Sequence, residues 1–198
     1  TYSLKRVDDQ ILGVLRSSYD KVVPSIYNRT AEEIKVSIED PYFIEILKSK
    51  YTSKIHRYSY TERIRIQKFD NDGNVCGEYR LIGLFASSAY YQPSNTIPLV
   101  RNKIKNVIDR ANYAPKGHNI KDLKYVLDSY PRDELFQISE NDLCKIAMET
   151  VSISGRSVIR FFPRNDKFSR FVSCLIFLPK DLFNTVSRQN IQGILEDE

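Results

Sequence analysis

The stretch that decides the fold is residues 56–85, HRYSYTERIRIQKFDNDGNVCGEYRLIGLF. Successive side chains of a strand point to opposite faces, so the even and odd positions of its first half form two different surfaces. The even positions are mostly apolar, Tyr58, Tyr60, Ile64 and Ile66, and the odd ones are polar, Arg57, Arg63, Arg65 and Gln67. Glu62 interrupts the apolar face, which indicates either a sheet edge or a partner for its carboxylate. Residues 70–74, DNDGN, supply the positive-φ positions of a tight turn, so we predict a β-hairpin whose second strand covers 75–85.

The first 92 residues have the alternating texture of a strand-rich module. Thr30 followed by Glu33 has the spacing of a capping box and predicts a short helix before Pro41. Residues 42–47 predict a further strand.

Residues 93–155 repeat apolar side chains at helical spacing and predict three amphipathic helices. The first covers 97–111. The second has Asn119 as its N-cap and stops at Pro131, and the third starts at Ser139. Such apolar stripes are typical of a packed core rather than of a cofactor site.

Residues 156–198 predict two paired strands and a helix. The strands cover 158–162 and 171–178, and the apolar run of the second predicts a strand buried on both faces. Asn184 is placed to cap the final helix. The whole pattern predicts the α+β class, with antiparallel rather than parallel strands.

Composition excludes several classes of function. The net charge of +5 is dispersed among alternating acidic and basic residues, which argues against a nucleic-acid partner. The chain has no run of about 18 apolar residues, so we expect no membrane partner. We expect a cytoplasmic location instead. Cys76, Cys144 and Cys174 lack ligand spacing and are predicted to be reduced, shielded thiols rather than metal ligands.

The sequence offers no catalytic, cofactor-binding or metal-binding residues. Its 7 glycines form neither a G-x-G-x-x-G turn nor a P-loop, and its 2 histidines accompany no nucleophile motif. Ser87 and Ser88, which follow an apolar strand, are candidates for a weak ligand site together with Arg170 and Ser173. Ordinary turn chemistry explains the two adjacent serines equally well.

One charged cluster is bracketed by aromatic residues, in the segment from Tyr130 to Phe136, YPRDELF. It can be a surface helix start, since Asp133 and Glu134 are favourable near a helix N-terminus. It can also be a docking site in which Arg132 makes a fork-shaped ion pair and Phe136 fills an apolar pocket. Residue chemistry alone leaves both interpretations open.

Several short motifs in the sequence resemble motifs of the large bacterial NAD-specific glutamate dehydrogenases. Residues 77–90, GEYRLIGLFASSAY, resemble that family's G-E-x-R-F-L-G-L-F-T-S-S-A-Y, with Ala86 where Thr is usual. The other similar motifs, in chain order, are IPLVR at 97–101, YPRDELFQI at 130–138, RFVSC at 170–174 and FNTVSR at 183–188. Val100 stands where the family has Leu, and Phe183 stands where it has Tyr. The resemblance covers about three quarters of the chain and follows the family only loosely over the first fifty residues.

The resemblance implies a place in the long N-terminal region of that enzyme, which combines ACT-like and PAS-like modules with helical connectors. Residues 1–92 would be a PAS- or ACT-like module, 93–155 a helical connector, and 156–198 the strand-strand-helix opening of an ACT-like unit. Both ends are expected to be cut points of a longer chain. The parent enzyme would oxidise L-glutamate with NAD, and its catalytic and nucleotide-binding residues would lie outside this segment.

The function expected from the resemblance is regulatory and architectural. The expected partners are the remainder of the polypeptide, other subunits of a homo-oligomer and an amino-acid effector. The alternative is an amino-acid-sensing ACT-like module. We also expect Arg132 to pair with a carboxylate or backbone carbonyls at a junction with the following ACT-like unit, and Leu135 and Phe136 to be buried there.

Overall fold

A computed structural model of the chain describes residues 7, 11–13, 31–40, 42–53, 56–168 and 170–196. The chain divides into two compact units. The first contains residues 1–92 and Pro131–Gln137, and the second contains Pro93–Tyr130 and the residues from Ile138 onward. The three-part division predicted above remains a prediction, and the structure adds that Pro131–Gln137 packs with the first unit.

The described helices and strands follow one another in the order α1 Ala31–Ile38, β1 Ile44–Ser53, β2 Ser59–Phe69, β3 Val75–Gly83, α2 Ser88–Tyr91, α3 Val100–Ala111, α4 His118–Ser129, α5 Arg132–Gln137, α6 Glu140–Ser152, β4 Arg160–Asn165, β5 Val172–Phe177 and α7 Thr185–Glu196. Short 3₁₀ turns lie at Ser94–Thr96 and Lys180–Leu182. Both sheets are antiparallel, in the orders β1-β2-β3 and β4-β5. The predicted α+β class is confirmed.

The predicted hairpin is formed by β2 and β3, and Asp70 holds its turn. The Asp70 carboxylate accepts the backbone N–H groups of Asp72 at 3.0 Å and Asn74 at 2.8 Å. Gly73 has a φ of +83°, a conformation that strains any residue with a Cβ. The strands of this hairpin therefore meet in a register that the local sequence specifies.

The polar face of β2 is the one that packs most deeply. Its buried side chains are Thr61, Arg63, Arg65 and Gln67. Helix α1 lies on this side, because Arg65 and Gln67 both donate to the backbone carbonyl of Ser37, at 2.7 and 2.9 Å. The predicted short helix before Pro41 is thus confirmed, while Thr30 of its proposed capping box lies outside the described residues.

The sheet's central position is occupied by β2, so the suggestion that Glu62 marks a sheet edge is wrong. Glu62 is nevertheless only 5% exposed. On the same face Tyr60 is 53% exposed. On β3, Tyr79 and Leu81, which lie opposite Ile66 and Ile64, are 51% and 52% exposed. This face is therefore covered at Glu62 and open on both sides of it, at Tyr60 and at Tyr79 and Leu81.

The helical part of the second unit confirms the predicted apolar stripes. Its fully or nearly fully buried side chains include Val100, Ile104, Val107, Leu123, Leu127, Leu143 and Ala147. Ser139 caps α6 as predicted, since its hydroxyl accepts the backbone N–H of Asp142 at 3.1 Å. The predicted N-cap Asn119 is wrong: a turn closed by Gly117 N–H on the Ala114 carbonyl at 2.9 Å makes Gly117 the cap.

The last two strands and the helix form with two corrections. Strand β4 runs from Arg160 to Asn165, whereas the prediction was 158–162. Asn184 caps α7 by accepting the backbone N–H of Ser187 at 2.9 Å. Strand β5 is not buried on both faces, because Val172 and Cys174, which share one face, are exposed.

The prediction that all three thiols are shielded is also wrong. Cys144 is buried in α6, whereas Cys76 and Cys174 are exposed. Both exposed thiols lie on edge strands, β3 and β5, where side chains alternate between covered and open faces.

Candidate functional site

Helix α5 contains most of the charged segment between Tyr130 and Phe136 and ends one residue beyond it. It begins after Pro131, whose carbonyl accepts the Leu135 N–H at 2.9 Å. Asp133 and Glu134 occupy its first turn, where negative charge is favoured. A helix of six residues is marginal by itself, so packing has to hold it. Leu135 supplies that packing, with 0% of its surface exposed.

An aromatic stack fixes α5 within the first unit. The rings of Phe136 and Phe85 are stacked, with centroids 4.4 Å apart and planes 23° from parallel. Phe85 follows strand β3 by two residues, so the stack ties α5 to the hairpin. Such a pair contributes about 0.5–1.5 kcal/mol beyond the area it buries.

A polar chain runs beside the aromatic stack, and Asp133 is its centre. One carboxylate oxygen accepts from the Lys48 ammonium at 2.9 Å, and the other accepts from the Tyr90 hydroxyl at 3.0 Å. The Arg57 guanidinium donates to the same hydroxyl at 2.9 Å and lies 4.7 Å from the Tyr90 ring centre. Strand β1 and helix α2 therefore contact α5 through one carboxylate, and the segment before β2 joins them through the Tyr90 hydroxyl. We call Lys48, Arg57, Glu62, Tyr90 and Asp133 the Asp133 cluster.

Glu62 is the member of the Asp133 cluster whose environment is least satisfied. It pairs in register with Lys48 on β1 and with Gly83 on β3. Its Oε2 atom is buried and has no hydrogen-bond partner. Burial first, and then the negative charge of Asp133, raise the pKa of the Glu62 carboxyl from 4.5 to about 7, against the opposing pull of Lys48 and Arg57.

The same surroundings act on Tyr90. Burial and the neighbouring Asp133 carboxylate raise the pKa of its hydroxyl, so Tyr90 remains a proton donor to Asp133 throughout the neutral range.

Arg132 reaches a backbone carbonyl, one of the two kinds of partner expected for it. Its Nη2 donates to the Gln92 carbonyl at 3.2 Å, within the first unit. Glu134 is half-buried on α5, and Tyr130 is 4% exposed at the end of α4 in the second unit. The docking role of these residues stays a prediction.

The four residues of the candidate weak ligand site fall in different units. Ser87 and Ser88 are exposed at the start of α2 in the first unit. In the second unit, Arg170 grips Asp166 with two donors at 2.6 and 2.9 Å. Burial opposes ionisation of Asp166, but the hydrogen bonds and charge of Arg170 hold its pKa below the usual range. Ser173 is half-buried on β5, and the ligand site remains a prediction.

Sequence reasoning singled out Glu62 and Asp133 but missed Lys48, Arg57 and Tyr90 as their neighbours. The missing information was the strand register, which places Lys48 opposite Glu62. Because Lys48 lies opposite Glu62, the alternation of side chains along β1 places the Lys48 ammonium on the same face of the sheet as Glu62.

Two further features are absent from the part of the chain that the structure describes. No group of three or more His, Cys, Asp or Glu residues there is arranged to hold a metal ion. Among the described helices, none combines the length and the apolar character needed to cross a membrane.

Comparison with known families gives two adjacent matches. Residues 97–156 match the description "Glutamate dehydrogenase, helical motif 1", and residues 160–198 match "Glutamate dehydrogenase, ACT2 domain". The chain belongs to the NAD-specific glutamate dehydrogenase family. The ACT2 match confirms the ACT-like assignment of the final segment, whereas a PAS-like first module stays a prediction.

Curated relatives carry the name NAD-specific glutamate dehydrogenase. The chain is 36% identical over 195 residues to that of Halomonas elongata, which covers 98% of this chain and 12% of the relative. The Pseudomonas aeruginosa protein is 37% identical over 158 residues, 80% of this chain and 10% of the relative. The Mycobacterium tuberculosis protein is 27% identical over 170 residues, which cover 86% of this chain and 10% of the relative. The chain thus spans about a tenth of the length of these dehydrogenases, and no solved structure matches it.

Proposed function

We propose that this chain is a non-catalytic regulatory and assembly segment of an NAD-dependent glutamate dehydrogenase. The observation that carries the proposal is the pair of family matches, a helical motif and an ACT2 domain, which together span half of the chain. Neither description is that of a catalytic or nucleotide-binding domain. In this proposal the whole enzyme converts L-glutamate, NAD and water to 2-oxoglutarate, ammonia and NADH, and NAD binds in another part of it.

The contacts of α5 support an architectural role. Both carboxylate oxygens of Asp133 are engaged by Lys48 and Tyr90, so this carboxylate holds secondary structure elements together rather than a substrate. Leu135 is fully buried and Phe136 is stacked. The segment that resembles the family without change, residues 130–138, therefore makes packing contacts inside this chain.

The proposal includes partners and a location. The partners are the remainder of the same polypeptide and other subunits of a homo-oligomer, and the location is the cytoplasm. The half-exposed aromatic and aliphatic side chains of the sheet, Tyr60, Tyr79 and Leu81, are surfaces that such partners would cover.

The first test is an activity assay on the purified 198-residue chain. We expect no NADH from L-glutamate and NAD, because no Gly-rich nucleotide turn is present in the sequence. The full-length dehydrogenase of a relative serves as the positive control. NADH formation by the chain above a heat-killed sample would overturn the proposal.

The second test uses the full-length dehydrogenase with the residue equivalent to Phe136 changed to Ala. An assembly role predicts a shift toward smaller species in light scattering, with catalysis at saturating glutamate retained in the assembled fraction. The matched control changes the residue equivalent to Tyr125, which is 75% exposed on α4. Unchanged assembly and kinetics in the Phe136 variant would count against the proposal.

The ACT2 match over 160–198 favours a second candidate, an amino-acid-sensing module. Thermal-shift measurements with each L-amino acid test it, because a ligand that binds only the folded state stabilises by RT ln(1 + [L]/Kd). A shift that disappears in Ser173→Ala and persists in Ser152→Ala would support the candidate. The absence of any shift at millimolar concentrations would reject it.

A further inference from the structure

The Glu62 carboxyl is buried on the central strand of the first unit without a donor for one of its oxygens. On one side its register partner is Gly83, which has no side chain to offer. On the other side its partner is Lys48, whose ammonium is engaged by Asp133 at 2.9 Å. An ionised carboxylate oxygen in this position lacks the hydrogen bonds that normally offset the loss of water.

The charged and titratable groups that face Glu62 come from four elements. They are Lys48 on β1, Arg57 before β2, Tyr90 on α2, and Asp133 and Glu134 on α5. The two cations also bind other groups. The Lys48 ammonium pairs with Asp133, and the Arg57 guanidinium donates to the Tyr90 hydroxyl and to the Phe85 carbonyl. Ionised Glu62 therefore sets a negative charge against the carboxylates of α5 in a poorly hydrated place.

Helix α5 also carries a second buried acceptor without a donor. Gln137 donates its amide N–H to the Asp133 carbonyl at 3.0 Å, while its Oε1 atom is buried and has no partner. A protonated carboxyl is a hydrogen-bond donor, whereas an ionised one is only an acceptor. A proton on Glu62 thus removes its charge repulsion from Asp133 and turns its carboxyl from an acceptor into a hydrogen-bond donor.

We propose that Glu62 is a proton-operated latch for α5: the helix packs firmly on the sheet when the Glu62 carboxyl is protonated and loosens when the proton leaves. The latch goes beyond the proposed assembly role, since it is a property of the first unit itself. Its operating range coincides with neutral pH, because burial and the Asp133 charge raise the pKa of Glu62 from 4.5 to about 7.

The sign of the effect follows from the two protonation equilibria. Below pH 4.5 Glu62 is protonated whether α5 is packed or released, so the proton has no influence. Between 4.5 and about 7 the packed form holds a proton that the released form lacks, so packing weakens as the pH rises. Above that range the weakening is complete and the pH dependence from Glu62 ends.

Hydrogen exchange of the α5 amides in the 198-residue chain tests the latch. After correction for intrinsic exchange rates, we expect the protection of α5 to fall at least about tenfold between pH 5.5 and pH 8.5. Glu62→Gln, which keeps the shape but cannot ionise, should retain high protection at both pH values. Glu149→Gln, at a carboxylate that pairs with Arg160 in the second unit, should behave like the wild type.

A carboxyl NMR titration of Glu62 provides a measurement that needs no variant. A midpoint near 7 supports the latch, and Asp133→Asn should move that midpoint to lower pH by removing a like charge. A midpoint near the ordinary value of 4.5 overturns the proposal. An identical pH profile of α5 protection in the wild type and in Glu62→Gln overturns it as well.

Discussion

The two faces of β2 bury charge in opposite ways. On the face that α1 covers, Arg65 is 2% exposed and every one of its nitrogens donates. The acceptors are the carboxylates of Glu45 at 3.0 Å and Asp40 at 3.1 Å, and the carbonyls of Ser37 at 2.7 Å and Tyr42 at 3.4 Å. On the other face, three residues earlier, Glu62 is 5% exposed and leaves one oxygen without a partner.

The difference reflects the chemistry of the two groups. A guanidinium keeps its proton at any physiological pH, so it can be buried only where acceptors surround it. A carboxyl can instead become neutral by taking up a proton. One face of the sheet is therefore held by a fixed ion-pair network, and the other by a group whose charge depends on the solution.

The largest expected effect comes from removing the fixed network. Arg65→Met leaves two buried carboxylates, Asp40 and Glu45, without their counter-ion, and should cost about 3–5 kcal/mol of unfolding free energy. Urea unfolding at pH 7 measures it. Arg101→Ala, at an exposed position of α3, is the matched control and should stay within about 0.5 kcal/mol of the wild type. A loss below about 1 kcal/mol for Arg65→Met would mean that the network does not hold this face.

The next effect concerns the apolar contact of the opposite face. Phe136 is half-buried and stacked on Phe85, so Phe136→Ala should cost about 2–3 kcal/mol, less than the 3–5 expected of a fully buried ring. Phe183→Ala, at a side chain that is 63% exposed, controls for the loss of an aromatic residue. Equal urea midpoints for the two variants would show that the stack contributes nothing.

A smaller effect is expected at Lys48, which joins β1 to α5. Its side chain and that of Asp133 are 24% and 33% exposed, so Lys48→Met should cost only about 1 kcal/mol at pH 7. The substitution also removes a cation that lowers the pKa of Glu62, so the titration midpoint of Glu62 should rise. NMR titration of the variant checks the direction, and a lower midpoint would contradict the assigned neighbours. Lys121→Met, at an exposed site on α4, is the control.

The smallest effect is expected at Arg132. Its hydrogen bond to the Gln92 carbonyl is exposed, so Arg132→Ala should cost about 0.5–1 kcal/mol in urea unfolding. Arg132→Lys, which keeps the charge without the planar fork, should recover part of that loss. A cost above about 3 kcal/mol would be typical of a buried ion pair. Arg132 would then resemble Arg65, and the contrast between the two faces of β2 would be lost.

Much of the fold was predictable because its signals are local. The DNDGN turn, the apolar stripes of α3, α4 and α6, and the Ser139 cap each depend on residues a few positions apart. The packing of α5 was not predictable, since it depends on contacts with residues far away in the chain, such as Phe85 and Lys48. For the same reason the sequence identified Asp133 as a candidate but not the neighbours that define its environment.

The burial of the polar face of β2 shows where alternation alone misleads. The pattern of isoleucines and arginines reads as an apolar face and a solvent face. Helix α1 supplies carbonyls and carboxylates to the arginine side, and that side becomes the more deeply buried one. Which face of a strand is buried depends on the secondary structure element that packs against it. The residues of the strand itself do not specify that element.

The exposed thiols have a practical consequence. Cys76 lies in the first unit, Cys174 lies in the second, and Cys144 is buried. A thiol-reactive dye or spin label would therefore mark each unit once without any engineered cysteine. Energy transfer or dipolar spectroscopy between the two labels would then follow the separation of the units as pH or ligands change.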